Sequence, residues 1–208
     1  MSADNLEMQT FSSRKLERFI TLMIGGLSAF CVLAALGATA SMEMQRRSRV
    51  EEAARHERAN SQVLELSVLA KQIQLEIVQV QQFLTDVSAT RGLNGLDDGW
   101  DEAAANAEGF KKDVARAKAL AVALQAPELE TALNEVDAAF PSFYATGQKM
   151  ARAYVAGGAE AGNLLMGEFD ATSETLAGKM DAARTAMKRL DDGQKALDAA
   201  HEHELAQH

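Results

Sequence analysis

Between Phe19 and Met42 the chain carries no charged residue, and no other feature restricts the fold as much. About 20 consecutive apolar residues suffice for a helix to cross a bilayer, and this run is longer. A cleaved signal peptide is the alternative, since Ala38-Thr39-Ala40 before Ser41 resembles a cleavage site. The preceding region is long for a signal peptide and the apolar run exceeds a usual signal core, so the segment reads as a retained anchor. Arg14, Lys15 and Arg18 precede it and Arg46, Arg47 and Arg49 follow it, so flanking positive charge does not orient it. The short N-terminal tail is a poor candidate for translocation. The division expected is a cytoplasmic tail over 1–18, a transmembrane helix over 19–42 and an extracytoplasmic region over 43–208. No second run reaches spanning length; in a two-pass receptor the chain would stop before its second crossing.

Beyond the anchor, apolar residues recur at alternating steps of three and four, the pattern of bundled helices. The first stripe is Val63, Leu66, Ala70, Ile73, Ile77, Val80, Leu84 and Val87. It ends in Arg91-Gly92-Leu93-Asn94-Gly95, where glycines and Asn punctuate the chain. A second helix opens after Asp97-Asp98, whose carboxylates can cap its free amides, and carries Trp100, Ala103, Ala107, Phe110, Val114, Ala117, Ala121 and Leu124. Pro127 suits the first turn of a third helix, whose stripe is Leu129, Leu133, Val136, Phe140, Phe143, Gly147, Met150 and Tyr154. Pro141 predicts a kink in it, and Gly157-Gly158 its end. The fourth stripe is Met166, Phe169, Ser173, Leu176, Met180, Ala183, Met187, Leu190, Gln194 and Leu197; the methionines read as core filling. The fold class expected is all-α: an N-terminal transmembrane helix followed by an up-down-up-down four-helix bundle with long first and fourth helices. The excess length of those two predicts a two-helix stem, and Glu43 to Arg58, dense in charge, fits one. Helix one has a further stripe, Leu64, Val68, Leu75 and Val78, with Lys71, Gln82 and Thr85 at the same spacing. Helix one of a second copy would cover it in a homodimer; a wider apolar arc within one bundle is the other explanation.

A net charge of −9 argues against duplex nucleic acid, which needs a basic face. Cys31 is the only cysteine, which excludes a disulfide framework and a c-type haem site. No nucleophile motif, phosphate loop or dinucleotide fingerprint is present, so no enzyme and no cofactor is expected. His201, His203 and His208 lack the four-residue helical step of a metal pair, so no metal is expected either.

Two segments carry a resemblance. One runs from Gln79-Val80-Gln81-Gln82-Phe83-Leu84-Thr85-Asp86 to Arg91-Gly92; the other runs from Phe143-Tyr144-Ala145-Thr146-Gly147-Gln148-Lys149-Met150 through Tyr154, Gly157, Gly158, Gly162 and Asn163. With the anchor and bundle pattern, they resemble the periplasmic sensor region of bacterial methyl-accepting chemotaxis proteins. The resemblance implies a receptor in the bacterial inner membrane, its bundle in the periplasm, that converts small-solute binding into a helix displacement. It also implies a solute site near the end of the bundle that carries the loops, often at a dimer seam. Gln82, Thr85, Asp86 and Arg91 stand at that end of helix one, with Tyr154 and Asn163 at the ends of helices three and four. Arg91 can pair with an anionic ligand and the amides can hydrogen-bond it; alternatively these groups cap helices and satisfy the loops. The sequence departs from whole transducers in having no cytoplasmic methylation hairpin. A single-pass anchored helical scaffold that assembles with other membrane proteins is the competing function.

Overall fold

A computed structural model describes the backbone of residues 3–205 and the side chains of residues 36–203 other than 40, 94 and 201. The chain is all-α. Helix α1 spans Ala3–Thr90, a 3-10 turn spans Leu93–Gly95, α2 spans Gly99–Ala123 and α3 spans Pro127–Leu205. Among the described residues no helix is long and apolar enough to cross a membrane. The expected tail, and the expected span 19–42 except for 36–39 and 41–42, lie outside the residues whose side chains are described.

Two units divide the chain, residues 1–55 and 56–208. In the first, nearly every described side chain is exposed, Met42, Met44 and Val50 included. Local contacts such as Arg47 to Glu43 (3.2 Å) and Ser48 to Glu52 (3.3 Å) decorate a stretch with no buried side chain among the described residues. This is the charge-dense stretch that the sequence assigns to a stem.

In the second unit α3 is two limbs. Gly158 leaves the helical region at φ 66°, ψ −158°, a conformation essentially confined to glycine. The limbs fold back on one another, and the pairs Tyr154–Asn163, Lys149–Glu168 (2.8 Å), Glu135–Lys179 (3.0 Å) and Glu128–Arg189 (3.1 Å) mark an antiparallel register. Helix α2 lies antiparallel to α1 through the bidentate Arg116–Glu65 contact (2.7 and 3.1 Å), and to the first limb of α3 through Lys118–Asp137 (2.9 Å). The far end of α3 returns beside α1, where Asn60 donates to Asp198 (3.0 Å). These exposed pairs each contribute at most about 1 kcal/mol; they report the register more than they hold it. Pro141 is exposed, and α3 keeps helical φ/ψ through it, so the chain breaks not at the proline, where a kink was expected, but at Gly158, where the helix was expected to end.

Apolar burial holds the unit together. Stripe residues Val63, Leu66, Ile73, Val80, Leu84 and Val87 of α1 meet Ala103, Phe110 and Val114 of α2 and Leu129, Val136, Phe143, Phe169 and Leu176 of α3. An aromatic seam crosses the middle. Phe110 stacks on Phe140 at 3.7 Å between centroids, and Phe143 stacks on Phe169 at 5.4 Å. Each such pair adds about 0.5–1.5 kcal/mol beyond burial. Arg152 lies over the Trp100 ring at 5.7 Å.

Several expectations are corrected. Met166 is 42% exposed and is not core filling. Asp98 precedes α2 with a helical backbone and its carboxylate caps nothing; the Asp97 and Asp98 carbonyls accept from Trp100, Asp101 and Glu102. In α1 the seam at 73 to 80 runs through Glu76, 5% exposed, and Ile77 is only half-buried. A seam of three and four steps admits either residue between Ile73 and Val80. Glu76 takes the place because Gly109 on α2 leaves room: a Cβ there would stand 2.4 Å from Glu76 Oε1. Gln72 donates to Oε1 at 3.5 Å, and Oε2 has no partner. Burial, with the nearby Asp113 charge adding to it, raises the Glu76 pKa to about 7.

A carboxyl with a raised folded pKa stabilises the fold while protonated. That contribution is complete below its unfolded pKa and is lost as pH rises through about 7. Ionising Glu76 in place therefore costs on the order of 3 kcal/mol. Glu76→Gln is expected to leave thermal stability unchanged at pH 5 and to raise it by several degrees at pH 8. Equal effects at both pH values would show that Glu76 does not titrate in this range. At Gly147, a Cβ would stand 2.7 Å from both Leu84 Cδ1 and Phe169 Cε2. Gly147→Ala is expected to lower the unfolding free energy by about 1 kcal/mol or more, because overpacking exceeds the gain of about 1 kcal/mol in helix propensity. A higher melting temperature would show that the two side chains simply give way.

Candidate functional site

The site lies at the end of the second unit that carries the turns. Arg91 and Gly92 take left-handed backbones (φ 57° and 62°). Thr90 ties this turn: its hydroxyl lies within 3.0 Å of the Asp86 and Leu96 carbonyls and accepts from the Gly92 amide at 3.4 Å. Arg91 Nη1 comes to 3.5 Å of the position a Cβ on Gly158 would take, so the α1 turn and the α3 reversal abut. Among the described residues no carboxylate pairs with Arg91.

Below these turns, α1 and both limbs of α3 line an open pocket of about 380 Å³, within the range of small-ligand sites. Its apolar walls are Met150 and Tyr154 from the first limb, Met166 and Phe169 from the second, and Ala89 from α1. The polar lining is Gln81, Thr85 and Ser88 on α1 and Asp170 on α3. Helical spacing explains the α1 contribution, because residues 81, 85 and 88 share one face. The Tyr154 ring is held in place from both sides. Its hydroxyl donates to Asn163 Oδ1 at 2.5 Å, and Gly162 lies so close to the ring that any side chain there would overlap it.

Of the residues singled out from the sequence, Thr85 and Tyr154 line this pocket, and Asn163 supports it through the Tyr154 hydroxyl. Gln82, Asp86 and Arg91 are exposed and are not part of the lining. Gln81, Ser88, Met166 and Asp170 were missed. Gln81 and Ser88 lie four residues before and three after Thr85, a signal that face-counting could have used. Nothing in the sequence singled out Asp170 among the acidic residues of the last helix.

The hydrogen bonds leave a definite chemistry. Thr85 donates to the Gln81 carbonyl at 2.8 Å and Ser88 to the Leu84 carbonyl at 2.8 Å. With the Tyr154 proton on Asn163, all three hydroxyl protons are engaged within the protein, and the oxygens retain acceptor capacity. Among the described residues no group of three or more metal-ligating side chains occurs. This arrangement can bind a small molecule; no side chain in it is paired as nucleophile and base. Compared with protein-family models, with curated proteins and with solved structures, the chain matches none of them.

Proposed function

We propose that the chain is the ligand-sensing region of a transmembrane receptor of the methyl-accepting chemotaxis type. In this reading residues 19–42 anchor it in the bacterial inner membrane. The helices after the anchor form an up-down-up-down four-helix bundle in the periplasm, with α3 supplying the third and fourth. The observation that carries the reading is the pocket between α1 and both limbs of α3. A solute there touches three helical segments at once. It therefore binds more tightly to one packing of α1 against the second limb than to another, and that difference is all a ligand needs to shift an equilibrium. Couplings of about 1–3 kcal/mol are typical of such switches.

The second stripe of α1 supports the dimer. Leu64, Val68, Leu75 and Val78 are 67%, 60%, 47% and 50% exposed. Four large apolar side chains along one face want a cover, and helix one of a second copy supplies a matching one by symmetry. The same face is the observation that favours the competing scaffold reading, in which a different membrane protein covers it.

Two measurements separate these readings. A thermal-shift screen of amino acids, organic acids and inorganic anions is expected to yield a stabilising solute. At a hundred times its Kd, the solute would add about 2.7 kcal/mol. Ala89→Trp, which fills the pocket from α1, is expected to abolish that shift, and a shift that survives it places the solute elsewhere. Sedimentation of the full chain in detergent is expected to show a dimer that Leu75→Glu converts to a monomer, with a stability change within about 0.5 kcal/mol. A monomeric wild type, or a dimer indifferent to Leu75→Glu, sinks the α1 interface.

A further inference from the structure

Building on the reading of this pocket as a solute site, we propose that its ligand is a small organic monocation: an ammonium or quaternary ammonium group on an apolar body, with Asp170 as counter-ion. Three observations converge on it. Asp170 is the only charged side chain in the lining, and no ion pair occupies it among the described residues. No nearby cation is part of the lining. Lys149 is bound to Glu168 at 2.8 Å, and Arg91 lies against Gly158 outside the lining. The hydroxyls of Thr85, Ser88 and Tyr154 have each given their proton to an oxygen of the protein, so they meet a ligand with lone pairs alone.

The donors an anion would need are almost missing. Backbone amides within helices are already bonded along the helix, which leaves the Gln81 side-chain amide as the one dedicated donor of the lining. A carboxylate or phosphate entering the pocket would face Asp170 and gain one dedicated hydrogen bond. Like charges brought together on those terms are unfavourable. A cation finds the opposite: a carboxylate and several acceptor oxygens. The rings of Tyr154 and Phe169 are also at hand, whose faces attract ammonium groups. Met150 and Met166 add polarizable walls that adapt to an apolar body. The proposed site centres on Asp170 and not on Arg91, which lies outside the lining.

Isothermal titration of the full chain in detergent tests this with phenethylammonium, benzyltrimethylammonium, 2-phenylethanol and 3-phenylpropionate. The two cations are expected to bind, the alcohol to bind more weakly and the carboxylate not at all. Asp170→Asn is expected to weaken cation binding by about tenfold or more while leaving the alcohol unchanged, the signature of a lost charge pair. Asp170 is exposed and makes no contact that the fold needs, and an unchanged melting temperature will verify that the variant is folded. Arg91→Ala is expected to change none of these affinities. If the carboxylate or the alcohol binds as tightly as the cations, or if Asp170→Asn leaves cation binding intact, the charge assignment is overturned while the pocket remains a solute site. If none of the four probes binds and the broader solute screen also yields nothing, the sensing reading falls with it.

Discussion

At Gly158 the backbone turns to φ 66°, ψ −158°, where a side chain would be strained whatever the surrounding space. The packing of the last limb follows from that reversal. It sends the last limb of α3 back along the first, so that Phe169 reaches Phe143, Glu168 reaches Lys149 and Asp198 reaches Asn60 on α1. Without it α3 would run on as one rod, and Leu176, Met180 and Ala183 would have nothing to bury against. The Arg91 guanidinium beside Gly158 brings the α1 turn to the same place. One strained residue thus gathers both turns at one end, and the pocket forms directly beneath them.

Small residues govern the approach of the helices at three further points. Gly147 admits Leu84 and Phe169 together, Gly99 admits Val87, and Gly109 admits the Glu76 carboxyl. The first two are simple packing, where a missing side chain lets backbones come close. The third makes room for a carboxyl in an apolar seam. Burial there keeps the group neutral at a pH where an ordinary glutamate is charged. The core therefore contains a group that titrates close to neutrality and is not part of the pocket lining.

How much of this was legible follows from how each feature is encoded. The stripes were readable because a helix converts spacing into a face, and Leu66, Ile73, Phe110, Val136, Phe143 and Leu176 are buried as their spacing requires. The end of the third helix was readable from Gly157-Gly158. Glu76 was not, since apolar spacing cannot show that a glycine on another helix will accommodate a carboxyl. Met166 was misjudged for a related reason: it sits on the stripe, but at its level the helices leave a pocket that its side chain lines. Thr85 and Tyr154, singled out from the sequence, line the pocket, and Asp170 lines it without having been singled out, because shared height on a bundle can be counted from sequence while the direction of a particular carboxylate cannot.

What the sequence determined by itself is the helical nature of the chain, the place of its breaks and which residues face inward. These are local consequences of spacing, glycine and proline. The sequence alone also shows the uncharged run from Phe19 to Met42, from which the membrane reading comes. Tertiary structure decided which helices pair, where a cavity remains between them and which polar groups reach it with lone pairs to spare. Those depend on contacts between residues far apart in the chain, such as Tyr154 with Asn163 across the reversal and Arg116 with Glu65 between α2 and α1, and no periodicity within a single helix contains them.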